Sequence, residues 1–441
     1  MTLYAGAAQV CITPPIGVEL AGYGPFLRRR SRAVHDDLYA AALVLQQNDT
    51  RVAIVTSDII SYDVATVEHI RQLAAQETGT PAGHILVSCI HSHTAPTARA
   101  MRGWGERDAH YIALLARQVA GAIVAADDAR QPARIGFGRG EHRELAWNRV
   151  RGRYQGSGAD ESEATVDASV QVLRVDAEAD GETLAVLANY GCHPVMLGPK
   201  TAISADYPGA VRRHVTAAIP GCIFLFANGT CGDIDPASNR EVWGQATFDD
   251  VDRAGASLAR EVAQVTRSID TRGESSLAVA RAWVDLPYRV LTSTGVEEEL
   301  GRRTADIASH ASGLDDRTTI GARRFWHEWA EDTRDALANG TAPTHARAEL
   351  QAIRIGDAVL VALPGEIFTE IGLSIKAASA YAHTFLITFA NGNVGYIPTE
   401  RDFTESAYAS SMAFAIYGYF PFQTDVGSRL IAAATALIRN R

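Results

Sequence analysis

Short apolar segments rich in β-branched residues alternate with longer alanine-rich segments along this chain, and this alternation is what most constrains its fold. Leu38–Leu45, Arg51–Ser57 and His84–Cys89 have the length and composition of strands. Thr66–Glu77 and Asp108–Ala126 instead show helical periodicity. An Asn-Asp turn separates the first two strands and predicts a hairpin. The pattern predicts the α/β class, with mixed β-sheets flanked by helices.

Length alone allows more than one domain, since 441 residues would hold about three of average size. No internal repeat or low-complexity linker divides the chain, so we expect a single large domain over residues 1–441. The charged, tryptophan-containing segment 295–339 predicts a helical insertion, either a lid or a surface hairpin. Trp326 and Trp329 lie close to helical spacing there and are expected to pack inside. The polar stretch Arg151–Glu163 predicts a long loop.

The composition excludes several classes of protein. A formal net charge of −10 argues against nucleic-acid binding, because such proteins present basic surfaces. Five widely spaced cysteines without a Cys-x-x-Cys pair predict neither a disulfide framework nor a zinc knuckle. The N-terminus lacks the pattern of a secretory leader, and no uncharged apolar stretch approaches the ~20 residues of a membrane span. We expect a cytoplasmic protein without an integral membrane segment, and a homo-oligomer is compatible with the sequence.

Polar motifs follow several of the apolar strands, and the first is Cys-Ile-His-Ser-His-Thr. It contains His91 and His93, two positions apart. In an extended segment both imidazoles would project to the same side and face one point. Imidazole nitrogens suit a zinc ion. Two ordinary polar histidines at a strand end would give the same pattern.

Four further motifs add candidate groups. His193 follows a strand in Asn-Tyr-Gly-Cys-His-Pro, and Asp233 and Asp235 lie in Asn-Gly-Thr-Cys-Gly-Asp-Ile-Asp-Pro. Glu366 is expected to open a helix after Leu-Pro-Gly, and Tyr396 lies in a Gly/Asn loop. An Asx-rich turn would explain the aspartates and a helix dipole the glutamate. Five motifs at strand ends nevertheless predict one convergent site, because loops there gather functional groups.

Taken together, these motifs resemble the neutral/alkaline (non-lysosomal) ceramidase family, specifically its N-terminal catalytic domain. The resemblance covers nearly the whole chain, from Ala5-Gly-Ala-Ala to Gly-Tyr-Ile-Pro-Thr and beyond. The supporting runs occur in a specific order: Val-His-Asp-Asp-Leu-Tyr-Ala-Ala-Ala-Leu, His-Ser-His-Thr-Ala-Pro, Asn-Tyr-Gly-Cys-His-Pro, Ser-Ala-Asp-Tyr-Pro-Gly, Asn-Gly-Thr-Cys-Gly-Asp-Ile-Asp-Pro and Leu-Pro-Gly-Glu.

The resemblance implies a zinc amidase that cleaves the N-acyl bond of ceramide with one bound zinc ion. His93 matches the histidine that the family places beside the metal for acid–base work. Arg149, in Trp-Asn-Arg-Val, matches on fewer residues an arginine that lines the site. The positions that match the family's zinc ligands are His91, His193, Glu366 and Tyr396.

This sequence departs from the family pattern in two places. The ceramidases carry a Gly-Asp-Val-Ser-Pro-type turn whose serine lies near the zinc, and Asp235 stands at that position here. The ceramidases also typically add a C-terminal immunoglobulin-like domain and are exported, whereas this chain stops at Arg441 with no visible signal. These departures predict a cytoplasmic relative that acts on a smaller soluble substrate; a lipid-like acyl substrate is the alternative.

The implied chemistry is attack by a water that zinc activates, because zinc lowers the pKa of water to about 7. His93 or Asp235 would take the proton and pass it to the leaving nitrogen. Tyr396 or Arg149 would help zinc to stabilise the oxyanion. The same chemistry fits a zinc esterase, lactonase or cyclic-amide hydrolase, and a non-catalytic metal- or ligand-binding homologue is a third reading.

Asp206, in Ser-Ala-Asp-Tyr-Pro-Gly, has two readings of equal weight. A carboxylate at this position would orient His193 by hydrogen-bonding its second nitrogen. It would equally cap the helix that starts there.

Overall fold

Two β-sheets pack face to face in this protein, and helices cover their outer faces. A computed structural model describes residues 2–150, 165–310, 316–405, 408–418 and 420–439. The loop predicted at Arg151–Glu163 lies outside the described residues. The strands are β1 (Leu3–Cys11), β2 (Ala33–Val34), β3 (Tyr39–Gln47), β4 (Thr50–Ser57), β5 (Ile85–Cys89), β6 (Gln131–Glu141), β7 (Ala146–Asn148), β8 (Ser169–Ala177), β9 (Thr183–Tyr190), β10 (Ala202–Ile203), β11 (Ile223–Asn228), β12 (Ile234–Pro236), β13 (Leu277–Pro287), β14 (His345–Ile355), β15 (Ala358–Ala362), β16 (Glu366–Ile367), β17 (His383–Ile387) and β18 (Tyr396–Ile397).

The larger sheet has eight strands in the order β11-β9-β8-β6-β1-β3-β4-β5. Neighbours are antiparallel except at the two edges, where β11 pairs with β9 and β5 with β4 in parallel. The predicted hairpin is confirmed as β3 and β4. The smaller sheet has the order β13-β14-β15-β17, with β15 and β17 parallel.

Helices occupy both outer layers. They are α1 (Val64–Thr78), α2 (Ala109–Asp128), α3 (Asp206–Ala218), α4 (Phe248–Ser268), α5 (Ser293–His310), α6 (Asp316–Ala338), α7 (Thr369–Ala378), α8 (Asp402–Glu405), α9 (Phe414–Tyr417) and α10 (Val426–Arg439). Helices α1 to α4 contribute to the core on the outer face of the larger sheet, and α6, α7 and α10 to the core on the smaller one. Mixed sheets flanked by helices confirm the predicted fold class.

A third core lies between the sheets and explains why the strands are apolar along nearly their whole length. Leu43 and Leu187 of the larger sheet meet Leu360 and Ile387 of the smaller one, and all four are fully buried. The opposite face of each strand packs on helices, so alternation with polar residues is lost.

One helix among the described residues, α2, has the length and apolar composition that would allow it to cross a membrane. The helix carries Arg117, Asp127 and Asp128, so it is not the uncharged stretch whose absence the sequence predicts. Half of the segment is buried. Leu115, Val119 and Ile123 fill its inner face, and the helix packs against β1 and β3.

The helical insertion predicted at 295–339 is present as α5 and α6, joined in a hairpin between the antiparallel strands β13 and β14. Trp326 and Trp329 are buried in an edge-to-face pair with ring centroids 5.3 Å apart. Their predicted packing role is therefore confirmed.

Buried asparagine side chains join the two sheets near one end. The Asn189 amide nitrogen donates to the carbonyl oxygens of Ala227 in β11 (2.9 Å) and Leu386 in β17 (2.8 Å). The Asn391 carbonyl oxygen accepts the Val87 N–H of β5 at 3.1 Å. In a dry interface such bonds fix position, because an unpaired amide there is costly.

A buried ion-pair cluster links α1 to the smaller sheet. Both oxygens of Glu349 in β14 accept from Arg71 in α1, at 2.8 and 3.0 Å. Arg281 of β13 adds a third contact at 2.7 Å. Burial opposes ionisation of Glu349, but the two guanidinium groups hold the pKa of the carboxyl below its ordinary value.

We expect Glu349→Gln to lower the free energy of unfolding at pH 7 by about 3–5 kcal/mol, because it leaves Arg71 buried without its partner. A carboxyl whose folded pKa is depressed stabilises the protein above its unfolded pKa and loses that effect as the pH falls through its folded pKa. The difference between wild type and variant should therefore shrink below about pH 4.3. Urea unfolding across this range measures it.

Glu297→Gln is the matched control, because Glu297 pairs with Arg334 at 2.8 Å and both side chains are about half exposed. It should cost less than about 1 kcal/mol. Equal losses in the two variants would contradict the role given to the buried cluster.

Candidate active site

The candidate site lies where strand ends of both sheets meet. His91 follows β5 and His193 follows β9, both in the larger sheet. Glu366 lies in β16, which follows β15 of the smaller sheet and pairs in parallel with β18. That register sets Glu366 opposite Tyr396. The helix expected to open at Glu366 begins only at Thr369, so a helix dipole does not explain the glutamate.

Three histidines and one carboxylate converge on one point. The ligand atoms of His91, His93 and His193 lie within 4.8 Å of one another. Glu366 Oε2 is 3.0 Å from His193 Nε2 and 3.4 Å from His91 Nε2. His91, His193 and Glu366 are almost completely buried.

Backbone carbonyl oxygens set the tautomers of two of these histidines. His91 Nδ1 donates to the Ile60 carbonyl at 2.8 Å, and His193 Nδ1 to that of Cys231 at 2.6 Å. The Nε2 atoms of both rings are therefore left to face Glu366. Burial opposes ionisation of Glu366, but His91 and His193 lower its pKa well below the ordinary value. Two fixed imidazoles and an ionised carboxylate fit a divalent metal ion.

The backbone at His91 is not extended as the sequence predicted. Its φ of 71° lies in the left-handed region, which costs a non-glycine residue about 1–3 kcal/mol. The turn is held by the His91 N–H, which donates to the Ile59 carbonyl at 3.0 Å. Phe389 stacks on the imidazole with ring centroids 3.9 Å apart. The two histidines thus meet through a turn rather than through strand alternation.

His93 lies at the edge of the cluster, with its Nε2 3.1 Å from His91 Nε2. Burial, then the neighbouring His91 and His193, lower the pKa of His93 well below its ordinary value. The imidazole is therefore neutral at pH 7. Gly22, at φ 84°, passes so close that a Cβ there would lie 2.3 Å from His93 Nδ1, so glycine is required.

Arg149, Asp235 and Tyr396 form a hydrogen-bonded group beside the histidines. Arg149 donates to Asp235 Oδ1 at 3.1 Å and to the Tyr396 hydroxyl at 2.9 Å. The pairing of β7 with β12 places Asp235 opposite Trp147, two residues before Arg149. Burial opposes the charge of Arg149, but Tyr396 and Asp235 raise its pKa well above the ordinary value. The structure thus brings together all seven predicted site residues.

Two contacting residues were missed by the sequence reasoning. The Tyr417 hydroxyl donates to Glu366 Oε1, and burial raises the pKa of this phenol well above its ordinary value, so it stays protonated. Asn228 joins the two histidine loops: it donates to the Ile90 carbonyl at 2.9 Å and accepts from the Cys192 N–H at 3.3 Å. Asn228 is the last residue of an apolar strand, and a polar residue at that position could have been recognised from the sequence. Tyr417 lies in a short helix that has no such pattern.

Asp206 takes neither of its predicted places. The Nδ1 of His193 is already bonded to backbone oxygens, so Asp206 does not orient it. The carboxylate accepts the N–H of Tyr207 at 2.8 Å from within the first turn of α3, while Ala205 holds the capping position. Burial raises the pKa of Asp206 to about 6.

A cavity of about 290 Å³ opens onto this group. His93, Arg149 and Tyr396 form its polar side. Half of the remaining lining residues are aromatic: Tyr23, Trp104, Trp243, Phe368 and Tyr408.

The chain belongs to the neutral/alkaline non-lysosomal ceramidase family, because the model of that family's N-terminal region matches residues 4–294. This confirms the resemblance seen in the motifs. Membership makes the protein a hydrolase of the ceramidase type, which acts on amide bonds.

Solved structures share the fold. The neutral ceramidase from Pseudomonas aeruginosa superimposes with a TM-score of 0.74 at 16% identity, over 99% of this chain and 74% of that one. A structure described as ceramidase complexed with C2 gives the same TM-score and identity, over 99% and 75% of the two chains. No curated protein sequence matches this chain.

We expect Asn228→Ala to weaken metal binding by about 10–100-fold, because groups that hold ligand-bearing loops tune affinity on this scale. Competition with a chromophoric chelator measures the affinity for Zn²⁺. Asn339→Ala, at an exposed helix end, is the control and should bind as wild type does. Unchanged affinity in a folded Asn228→Ala protein would show that the amide does not position the histidines.

Proposed function

We propose that this protein is a zinc-dependent amidase that hydrolyses the N-acyl bond of a compact, soluble substrate in the cytoplasm. The observation that carries the proposal is the convergence of His91, His193 and Glu366, with the Nε2 atoms of both imidazoles facing one carboxylate oxygen. Family membership supplies the class of bond.

Donor chemistry favours a single zinc ion at this point. Glu366 is a buried carboxylate, and one of its oxygens lies beside the Nε2 atoms of both His91 and His193. Two histidines and a glutamate are a donor set typical of catalytic zinc, and Tyr396 is proposed as the weak fourth ligand. Bound zinc supplies Lewis acidity and an activated water at neutral pH.

His93 is proposed as the acid–base residue. Its neutral imidazole borders the cavity and accepts the proton of the attacking water. As the C–O bond forms and the C–N bond breaks, the same proton passes to the leaving nitrogen. The product pair is a carboxylic acid and an amine.

Arg149 and Tyr396 are proposed to stabilise the oxyanion of the tetrahedral intermediate. The guanidinium is fixed by Asp235 and by the Gly232 carbonyl at 2.8 Å, so its donors are oriented before substrate arrives. Both oxygens of Asp235 are bonded, one to Arg149 and the other to Trp243 at 3.0 Å. We therefore assign the proton transfer to His93 and an orienting role to Asp235.

The size of the cavity supports a compact acyl group. At about 290 Å³ it lies at the lower end of the range for small-molecule sites, roughly 300–1,000 Å³. The structure of a ceramidase complexed with C2 supports a lipid-like substrate as the alternative. A panel of small N-acyl amides, esters and lactones beside an N-acylsphingosine separates an amidase from an esterase and a small substrate from a lipid.

Removal of metal with a chelator should abolish hydrolysis, and one equivalent of Zn²⁺ should restore it. His193→Ala should lose both the bound zinc and the activity, because a ligand is removed. Metal analysis by mass spectrometry together with the amidase assay checks both. Activity that survives complete removal of metal would refute the zinc-dependent mechanism.

His93→Gln should keep one equivalent of zinc and lose about 10²–10⁴-fold in kcat, since general acid–base catalysis contributes on this scale. Retained metal separates this role from that of His193. His310→Gln, at the exposed end of α5, is the control. A His93→Gln enzyme with normal kcat would move the proton transfer to another group.

A further inference from the structure

We infer that Asp235 and Trp243 together form a wall that limits the length of the acyl group in the active-site cavity. The inference rests on the proposed function and names a determinant of its substrate class.

The indole of Trp243 is held at the cavity by two contacts. Its Nε1 donates to Asp235 Oδ2 at 3.0 Å. Its ring meets Tyr23 edge to face, with centroids 5.1 Å apart and planes at 71°. Both rings line the cavity. A serine at 235 has a shorter side chain and no carboxylate, so it would not reproduce the link that Asp235 makes between the indole and Arg149.

The segment that carries Trp243 is fastened at its base. The Asn239 amide donates to the Val195 carbonyl at 3.1 Å and accepts the Gly244 N–H at 3.0 Å. Gly244 and Gly198 both have positive φ and cross so closely that a Cβ on Gly198 would lie 2.2 Å from the Gly244 oxygen. The indole therefore projects inward from an anchored turn, while its neighbour Val242 is 58% exposed.

Asp235 couples this wall to the catalytic group. One oxygen binds the Trp243 N–H, and the other binds Arg149 at 3.1 Å. Arg149 in turn donates to Tyr396 at 2.9 Å. The same carboxylate thus positions both Arg149, the proposed oxyanion donor, and Trp243, the wall. The length of acyl chain that fits and the orientation of the substrate carbonyl therefore depend on one residue.

The consequence is selectivity for short acyl chains. Tyr23 and Trp243 close the cavity beside the catalytic group: Tyr23 meets His93 with ring centroids 5.3 Å apart, and Trp243 is bonded to Asp235. The total volume is about 290 Å³. Truncation of the indole enlarges this cavity without removing a metal ligand or the acid–base residue. Longer acyl chains then gain contacts that the wild type excludes.

The test is a series of amides of one amine with acetyl, butanoyl, octanoyl and dodecanoyl groups, assayed with wild type, Trp243→Ala, Trp243→Phe and Asp235→Ser. The ratio of kcat/KM for octanoyl over acetyl should rise about tenfold or more in Trp243→Ala, a scale typical of pocket discrimination. Asp235→Ser should shift the ratio in the same direction, besides lowering the rate for all members. Trp243→Phe keeps an aromatic ring but loses the N–H donor, so its octanoyl-to-acetyl ratio should lie between those of wild type and Trp243→Ala.

The double variant Trp243→Ala/Asp235→Ser should change the octanoyl-to-acetyl ratio of kcat/KM by less than the product of the two single effects, because both substitutions act on one wall. Trp283→Ala is the control: this tryptophan lies 41% exposed on β13 beside Arg347 and should leave the ratio unchanged. Thermal unfolding confirms that each variant is folded. A ratio within about twofold of wild type in folded Trp243→Ala overturns the inference, as does an Asp235→Ser protein that is slower with unchanged selectivity.

Binding of the corresponding carboxylates, measured by calorimetry, tests the wall independently of turnover. The preference for octanoate over acetate should rise in Trp243→Ala by the same factor as the kinetic ratio. If the wild type hydrolyses no member of the series, the proposed function fails. The length dependence of the Kd values then still decides whether Trp243 limits the cavity.

Discussion

The alignment of strand ends from two facing sheets is the constraint on which the candidate site depends. Neither sheet carries the site alone: the larger one supplies the histidines, and the smaller one leads to Glu366 and Tyr396. Asn189 bonds across the interface, and Asn228 ties the two histidine loops to each other. A shift of one sheet by a single residue would separate the donors, so the polar bonds in an otherwise dry core act as positioning elements.

Local patterns in the sequence were sufficient for the fold class and for the prediction of one convergent site, and the family resemblance supplied the proposed ligand set. Strands buried on both faces are apolar throughout, and polar groups directly after them must lie at a sheet edge, so His91, His193 and Glu366 could be recognised one motif at a time. The motif order supplied the family. The helical hairpin was visible because its charge and periodicity differ from those of the flanking strands.

The remaining features depend on contacts between residues distant in sequence. The left-handed turn at His91 is imposed by bonds to Ile59 and Ile60, which no local pattern reports. Tyr417 reaches Glu366 from a four-residue helix. The sequence predicts Asp235 as a candidate base, because it cannot show that both oxygens of this carboxylate are already bonded. Whether its oxygens already accept hydrogen bonds, and not its residue type, decides if a carboxylate orients a neighbour or takes up a proton.

The hairpin of α5 and α6 also packs against the outer side of a residue that lines the cavity. Phe325 of α6 packs edge to face on Trp104, a wall residue, with centroids 5.5 Å apart, and Arg324 lies 4.0 Å over the ring of Phe26. The hairpin connects two neighbouring strands of the smaller sheet, so its length can change without disturbing their pairing. Evolution can therefore reshape the far side of this cavity by altering a surface insertion while His91, His193 and Glu366 keep their places.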